Sequence, residues 1–92
     1  MVKVKRIVLD VLKPHQPNGL EFASTIAEQV PGAGVKLTVT AVDEKTETVV
    51  IIIEGNGLSY DVIHDVISSQ GGSIHSIDEV EVQSGQSPAD NR

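Results

Sequence analysis

Carboxylates are the residues of this 92-residue chain best suited to chemistry, because their oxygens are ligands that Ca²⁺ and Mg²⁺ prefer. The candidate metal ligands are Asp10, Glu54, Asp78 and Glu79. Asp10 interrupts an apolar stretch, and a carboxylate buried there would need a cationic partner or a metal ion. No EF-hand loop is present, so these residues predict a divalent-cation site of calcium or magnesium type without a specific motif. The alternative is that Asp10 pairs with Arg6, with Lys36 or with a neighbouring subunit.

Three histidines offer imidazole groups but no catalytic arrangement: His15, His64 and His75. Ser76, His75 and Asp78 could suggest a Ser-His-Asp triad. Neighbouring residues on a strand point to opposite faces, so Ser76 and His75 cannot form the hydrogen bond that a triad needs. We interpret the histidines as surface or loop-lining groups, and we expect no catalytic residue and no enzymatic activity.

A glycine-rich turn, Gly55-Asn56-Gly57, precedes a predicted helix, and helix N-termini attract anions. Glu54 and Asp61 flank this turn, and no lysine or arginine is near in sequence, so a phosphate would be repelled. A tight connection between a strand and a helix explains the glycines without a ligand.

Composition excludes several classes of protein. The formal net charge is -6 and the aromatic residues are Phe22 and Tyr60, so the chain lacks the basic surface and the stacking side chains that nucleic-acid binding requires. Cysteine is absent, which excludes disulfides and thiolate metal sites. No apolar run approaches the ~20 residues of a membrane span, and Asp10 interrupts any signal-peptide core. We expect a cytoplasmic protein without nucleic-acid or membrane partners.

Four strands are predicted, the first two from alternating apolar and polar residues, the third from an unbroken β-branched apolar run, and the fourth from an imperfect alternation. They are Val2–Lys13, Val35–Glu44, Thr48–Gly55 and Ser73–Val82. A short polar turn joins the second and third strands, which predicts an antiparallel hairpin. In the fourth strand the apolar residues are spaced by three, which predicts either a bulge near Ser76 or an Ile77 side chain on the opposite face.

Two helices are predicted, one between the first and second strands and one between the third and fourth strands. The first covers Gly19–Val30 and opens with a capping box made by Asn18 and Glu21. The second covers Gly57–Gln70 and stops at two glycines. Polar residues from 83 to 92 predict a flexible tail after a single domain of residues 1–82.

The order β-α-β-β-α-β predicts an α+β protein of the ferredoxin-like, split βαβ type. Its antiparallel sheet has the spatial order four-one-three-two, with both helices on one face. The first and third strands are central, and the other face of the sheet has no cover within the chain.

The predicted third strand, TVVIIIEG, is apolar on both faces, because side chains alternate along a strand. With Glu54 facing outward, Val50 and Ile52 lie on the uncovered face, and Val4, Arg6, Val8 and Asp10 face outward on the first strand. An apolar centre with a polar rim is typical of an interface. We predict self-association through Val8, Val50 and Ile52; the alternative is a monomer whose outward residues stay partly wet.

Three stretches of sequence carry a resemblance to a known family. IVLDVLKPH at 7–15, TET at 46–48 followed by IEG at 53–55, and IHSIDEV at 74–80 resemble the archaeal proteins grouped as domain of unknown function 211. The resemblance covers roughly residues 2–82. It implies a ferredoxin-like subunit of ring-like homo-oligomers from an archaeal cytoplasm, with no established activity and an association with calcium.

Two functions are favoured on this basis over a third, a hydrolase that would use His75 or the carboxylates. The first is a self-assembling, non-enzymatic protein that binds calcium. The second is a small-molecule sensor resembling the ACT regulatory domains, which bind amino acids with backbone groups at a subunit interface. Other proteins of this topology fit less well, since the loop after the first strand lacks the arginine of acylphosphatases and the chain lacks the cysteine pair of metal chaperones.

Overall fold

A single four-stranded antiparallel sheet forms the framework of the computed structural model, which describes residues 1–85. The strands are β1 (Val2–Pro14), β2 (Gly34–Val42), β3 (Thr46–Glu54) and β4 (Ser73–Ser84). The helices are α1 (Gly19–Gln29) and α2 (Tyr60–Ser69). The strand order is β2-β3-β1-β4, which confirms the ferredoxin-like fold and the central position of β1 and β3.

The predicted capping box opens α1. The Asn18 side chain accepts a hydrogen bond from the Glu21 backbone at 2.9 Å, and the Glu21 carboxylate accepts one from the Asn18 backbone at 3.3 Å. The second helix begins later than its predicted start at Gly57. The Gly57 and Leu58 backbone N–H groups donate to the Val4 carbonyl at 3.2 and 2.9 Å, which ties this segment to β1 before Ser59 caps α2.

The core lies between the sheet and both helices, as predicted for helices on one face. Ile7, Leu9 and Val11 of β1 are buried there, and so are alternate residues of β3, namely Val49, Ile51 and Ile53. The helices contribute Phe22, Ile26, Ile63, Val66 and Ile67. The assignment of Val50, Ile52 and Glu54 to the opposite face is therefore confirmed.

Irregular pairing between β1 and β4 corrects one assignment. The register shifts between Val4 and Arg6, so Lys5 is an extra residue on β1 and the alternation changes there. As a result Val4 packs against the core instead of facing outward. Two further shifts leave His75 and Asp78 unpaired on β4, which confirms a bulge near Ser76.

The last strand is longer than predicted. It extends through Gln83 to Ser84, because β1 begins at Val2 and continues the ladder to that point. Residues 83 and 84 of the predicted tail therefore belong to the sheet. Residues 86 to 92 lie outside the described residues.

Gly72, between α2 and β4, should resist substitution. A Cβ atom at this position would lie 2.9 Å from both the Ile67 side chain and the Phe22 ring, whereas nothing lies within 4 Å of a Cβ at Gly34. We expect Gly72→Ala to lower the free energy of unfolding by about 1–3 kcal/mol, the usual cost of overpacking. Gly34→Ala is the matched control and should change stability by less than about 1 kcal/mol. Urea denaturation followed by circular dichroism measures both, and equal effects would contradict the close approach.

Candidate functional site

The sheet face opposite the helices is uncovered in the described chain and carries a connected apolar surface. Val8 lies directly opposite Ile52, and Asp10 lies opposite Val50. Residues in register share a face, so these side chains are neighbours. All four are only partly buried, in contrast to the fully buried residues on the helix side of the same strands. We call Val8, Val50 and Ile52 the open-face patch.

Arg6 borders the open-face patch and holds two of the carboxylates proposed as metal ligands. Its Nε donates to Glu79 at 2.6 Å, and its Nη1 donates to Glu54 on the opposite neighbouring strand. These hydrogen bonds, with Glu79 contributing most, raise the pKa of the Arg6 guanidinium above its usual range. Arg6, Glu54 and Glu79 therefore form a charged rim that spans β3, β1 and β4.

The other two proposed metal ligands lie apart from this rim. Asp78 accepts a hydrogen bond from Ser76 at 2.7 Å, and Asp10 has no hydrogen-bond or ion-pair partner among residues 1–85. The suggested pairing of Asp10 with Arg6 is wrong, because Arg6 is engaged by Glu54 and Glu79. Within the described part of one chain, no three residues of the types His, Cys, Asp or Glu converge on a possible metal position. The divalent-cation site stays a prediction, and its four residues are not gathered in a single subunit.

A shallow depression of about 230 Å³ lies beside the open-face patch. It is lined by Asp10, Val11, Leu12, Thr48 and His75. The bulge at His75 brings this imidazole to the depression, so His75 and Asp10 share it. Ser76 bonds Asp78 rather than His75, so these residues do not form a catalytic triad.

The glycine-rich turn before α2 has a structural role. Its Gly55 N–H donates to the Lys5 carbonyl at 3.0 Å, and its Gly57 N–H donates to the Val4 carbonyl. Lys5, distant in sequence, also bonds the Asn56 side chain at 3.0 Å. The two glycine N–H groups that this turn could offer to an anion are thus occupied by carbonyls of β1.

A buried lysine organises the opposite end of the sheet. The Lys13 side chain is 0% exposed, and its Nζ donates to Glu47 at 3.0 Å and to the Pro14 carbonyl at 2.8 Å. The ammonium also lies 5.7 Å from the centre of the Phe22 ring, within range of a cation–π interaction. Glu47 in turn bonds His15 Nδ1 at 2.9 Å. We call these residues the Lys13–Glu47–His15 cluster.

The hydrogen bonds of this cluster favour the charged forms of His15 and Glu47. The hydrogen bond to Glu47 and then the Glu44 carbonyl raise the pKa of His15 above its ordinary 6.5. The hydrogen bond from His15 and then that from Lys13 lower the pKa of Glu47 below its ordinary 4.5. This cluster was not predicted from the sequence. The burial of Lys13 could have been predicted, because Lys13 continues the alternation of the core-facing residues Ile7, Leu9 and Val11.

Together the fold and this surface define a ferredoxin-like α+β protein with an open sheet face, and residues 1–85 gather no group of three possible metal ligands. Residues 5–87 match the model of the family of domain of unknown function 211, described as "Uncharacterized ArCR". The chain belongs to this family, as the resemblance of its strand sequences indicated.

One relative extends this comparison. The chain is 48% identical over 77 residues to the Uncharacterized protein MJ0319 of Methanocaldococcus jannaschii. The match covers 84% of this chain and 79% of that protein. Neither the family description nor the relative's name assigns an activity. Neither α1 nor α2 is long and apolar enough to cross a membrane.

Proposed function

We propose that the protein is a non-enzymatic subunit that self-associates through the open-face patch. The observation that carries this proposal is the half-buried state of Val8, Val50 and Ile52 on a face that residues 1–85 leave uncovered. Burying these side chains against a second copy would remove apolar surface from water, at roughly 25 cal/mol per Å².

The surroundings of the patch support the same function. The ion pairs of Arg6 with Glu54 and Glu79 form a polar rim at one end, as at many interfaces with an apolar centre. A chain of 92 residues buries a limited core, so association is a common source of further stability. The proposed cytoplasmic location follows from the sequence and stays a prediction.

The test is the mass of the protein in solution measured by light scattering. The wild type should have the mass of several subunits, and Ile52→Glu should be folded with the mass of a single chain, because the new carboxylate would be desolvated in the interface. Ser24→Glu, which adds the same charge at an exposed position of α1, is the matched control and should keep the wild-type mass. A wild type that is monomeric at every concentration, or an Ile52→Glu variant of unchanged mass, would overturn the proposal.

In this proposal calcium binds only at the interface between subunits. Because no single chain gathers three ligands among the described residues, Asp10 and Asp78 would have to meet carboxylates of another subunit. Light scattering in calcium and then in chelator tests this arrangement. The arrangement is supported if calcium changes the mass of the wild type but not that of Asp10→Asn. If calcium leaves the wild-type mass unchanged, calcium has no part in the assembly.

The alternative of an amino-acid sensor of ACT type is favoured by one feature, the depression lined by Asp10, Thr48 and His75. Its position beside the open-face patch would place a ligand at the edge of a subunit interface. A thermal-shift screen with the common amino acids separates the two functions. A stabilising amino acid whose effect is lost in Asp10→Asn would favour sensing, and the absence of any shift would favour plain assembly.

A further inference from the structure

We propose that the Lys13–Glu47–His15 cluster is a pH-sensitive clasp that fastens the turn between β2 and β3 to the loop after β1. The cluster joins segments 32 residues apart in sequence, since His15 follows β1 and Glu47 opens β3. It lies at the sheet end where β1 finishes, and it shares no residue with the open-face patch. The inference is therefore independent of the proposed self-association.

The fixed half of the clasp is the pair of Lys13 and Glu47. The Lys13 ammonium is enclosed by the core and is satisfied by the Glu47 carboxylate, the Pro14 carbonyl and the Phe22 ring. A buried ammonium requires such a partner, so Glu47 is held as a carboxylate at this position. One of its oxygens bonds Lys13, and the other is presented to His15.

The movable half is His15, which contacts two groups that can only accept hydrogen bonds. Its Nδ1 lies 2.9 Å from the Glu47 carboxylate, and its Nε2 lies 3.0 Å from the Glu44 backbone carbonyl. Both contacts are hydrogen bonds only if both ring nitrogens carry protons, because a neutral imidazole has a single N–H. The geometry therefore fits the imidazolium, and loss of one proton removes one of the two bonds that tie the loop to the turn.

Charged groups around His15 act in both directions. Glu47 and the backbone of the turn, through the carbonyls of Glu44 and Asp43, favour the imidazolium. Lys13 from β1, which bonds the other oxygen of the same Glu47 carboxylate, opposes it as a like charge. On α1, Phe22 contacts the Lys13 ammonium, and the Glu21 carboxylate accepts the capping hydrogen bond from the Asn18 backbone.

The sign of the pH dependence follows from both partners. His15 has its pKa raised in the folded protein, so its stabilisation is complete below 6.5 and is lost as the pH rises through the raised folded value. Glu47 has its pKa lowered, so its stabilisation is present above 4.5 and is lost as the pH falls through the lowered folded value. The clasp is therefore closed between the lowered folded pKa of Glu47 and the raised folded pKa of His15, and it opens on the alkaline side when His15 loses a proton.

The experiment is a pH titration of the full chain by nuclear magnetic resonance, following the His15 ring and the backbone amides of residues 43–46. We expect the His15 midpoint to lie above that of the same residue in the urea-unfolded chain. We expect the turn amides to shift with the same midpoint. In His15→Gln, which keeps the Lys13–Glu47 pair, the turn amides should no longer shift at the His15 midpoint, and only the acid-side change caused by carboxylates should remain.

His64→Gln is the matched control, because His64 is exposed on α2 and hydrogen-bonds its neighbour Asp65 at 3.3 Å. This variant should leave the titration of the turn unchanged. The proposal is overturned if the His15 midpoint equals that of the unfolded chain. It is also overturned if the turn amides do not follow His15, or still shift at the same midpoint in His15→Gln.

Discussion

Replacing Ile51 with alanine is expected to lower the free energy of unfolding by about 2–5 kcal/mol, the range measured for large-to-alanine changes in cores. Ile51 is 0% exposed and lies in register with Leu9 on β1 and Leu37 on β2, beneath the helices. The deletion leaves a cavity that strands on both sides prevent from closing. Urea denaturation followed by circular dichroism measures the change.

The matched control is Ile52→Ala, the same deletion one residue further along β3. Its side chain lies on the open sheet face and is only partly buried, so the cost in a single subunit should be smaller than at Ile51. If the patch binds a second copy, this cost should grow with protein concentration, because association stabilises the folded state by mass action. Equal costs at Ile51 and Ile52 at low concentration would contradict the assignment of the two faces of β3.

The second large effect is expected at Lys13. Lys13→Ala should lower the free energy of unfolding by about 2–5 kcal/mol, because it removes a fully buried side chain packed against Phe22. Lys13→Met keeps most of the volume and removes the buried charge, so it should cost less than about 1.5 kcal/mol. Denaturation of both variants at neutral pH compares packing with charge.

Glu47→Gln completes this comparison. This variant leaves the Lys13 ammonium buried without its carboxylate, whereas Lys13→Met leaves a partly exposed carboxylate that still bonds His15. Removing one partner of a buried pair is costly when the remaining charge cannot reach water. Glu47→Gln should therefore be the more destabilising of the two, and the reverse order would show that the ammonium does not depend on Glu47.

The depression beside the open-face patch and the Lys13–Glu47–His15 cluster lie along the same pair of central strands, β1 and β3. Leu12 pairs with Thr48 on the open side of the sheet, and the next pair, Lys13 with Glu47, faces the helices. The depression beside the open-face patch and the Lys13–Glu47–His15 cluster are thus back to back across β1 and β3. Comparing the titration of His15 in the wild type and in Ile52→Glu would show whether assembly changes the pKa of His15.

Local pattern was sufficient for the elements and for most of their faces. Successive side chains on a strand point in opposite directions, which separates Ile51 from Ile52, and the charge of Glu54 indicated that Ile52 lies on the open face. The Asn18 and Glu21 pair located the start of α1, since a capping box involves only residues within one helical turn. From the order of these elements the ferredoxin-like fold and its uncovered face followed.

The register of β1 with its neighbours and the extra residue at Lys5 were decided by the tertiary structure. The extra residue Lys5 turns Val4 to the core, and nothing in the local sequence at Val4 signals that shift. The same pairing sets Arg6 between Glu54 and Glu79, which removes Arg6 as a partner of Asp10.

By itself, the sequence determined the elements, the topology and the open-face patch, because these depend on periodicities of two and 3.6 residues that are visible in any short window. Only the tertiary structure decided which charges meet. His15 and Glu47 are neighbours because β1 and β3 pair in one register, and a slip of one residue would place Glu47 on the other face of the sheet. The burial of Lys13 could be read from alternation, but its partner could not.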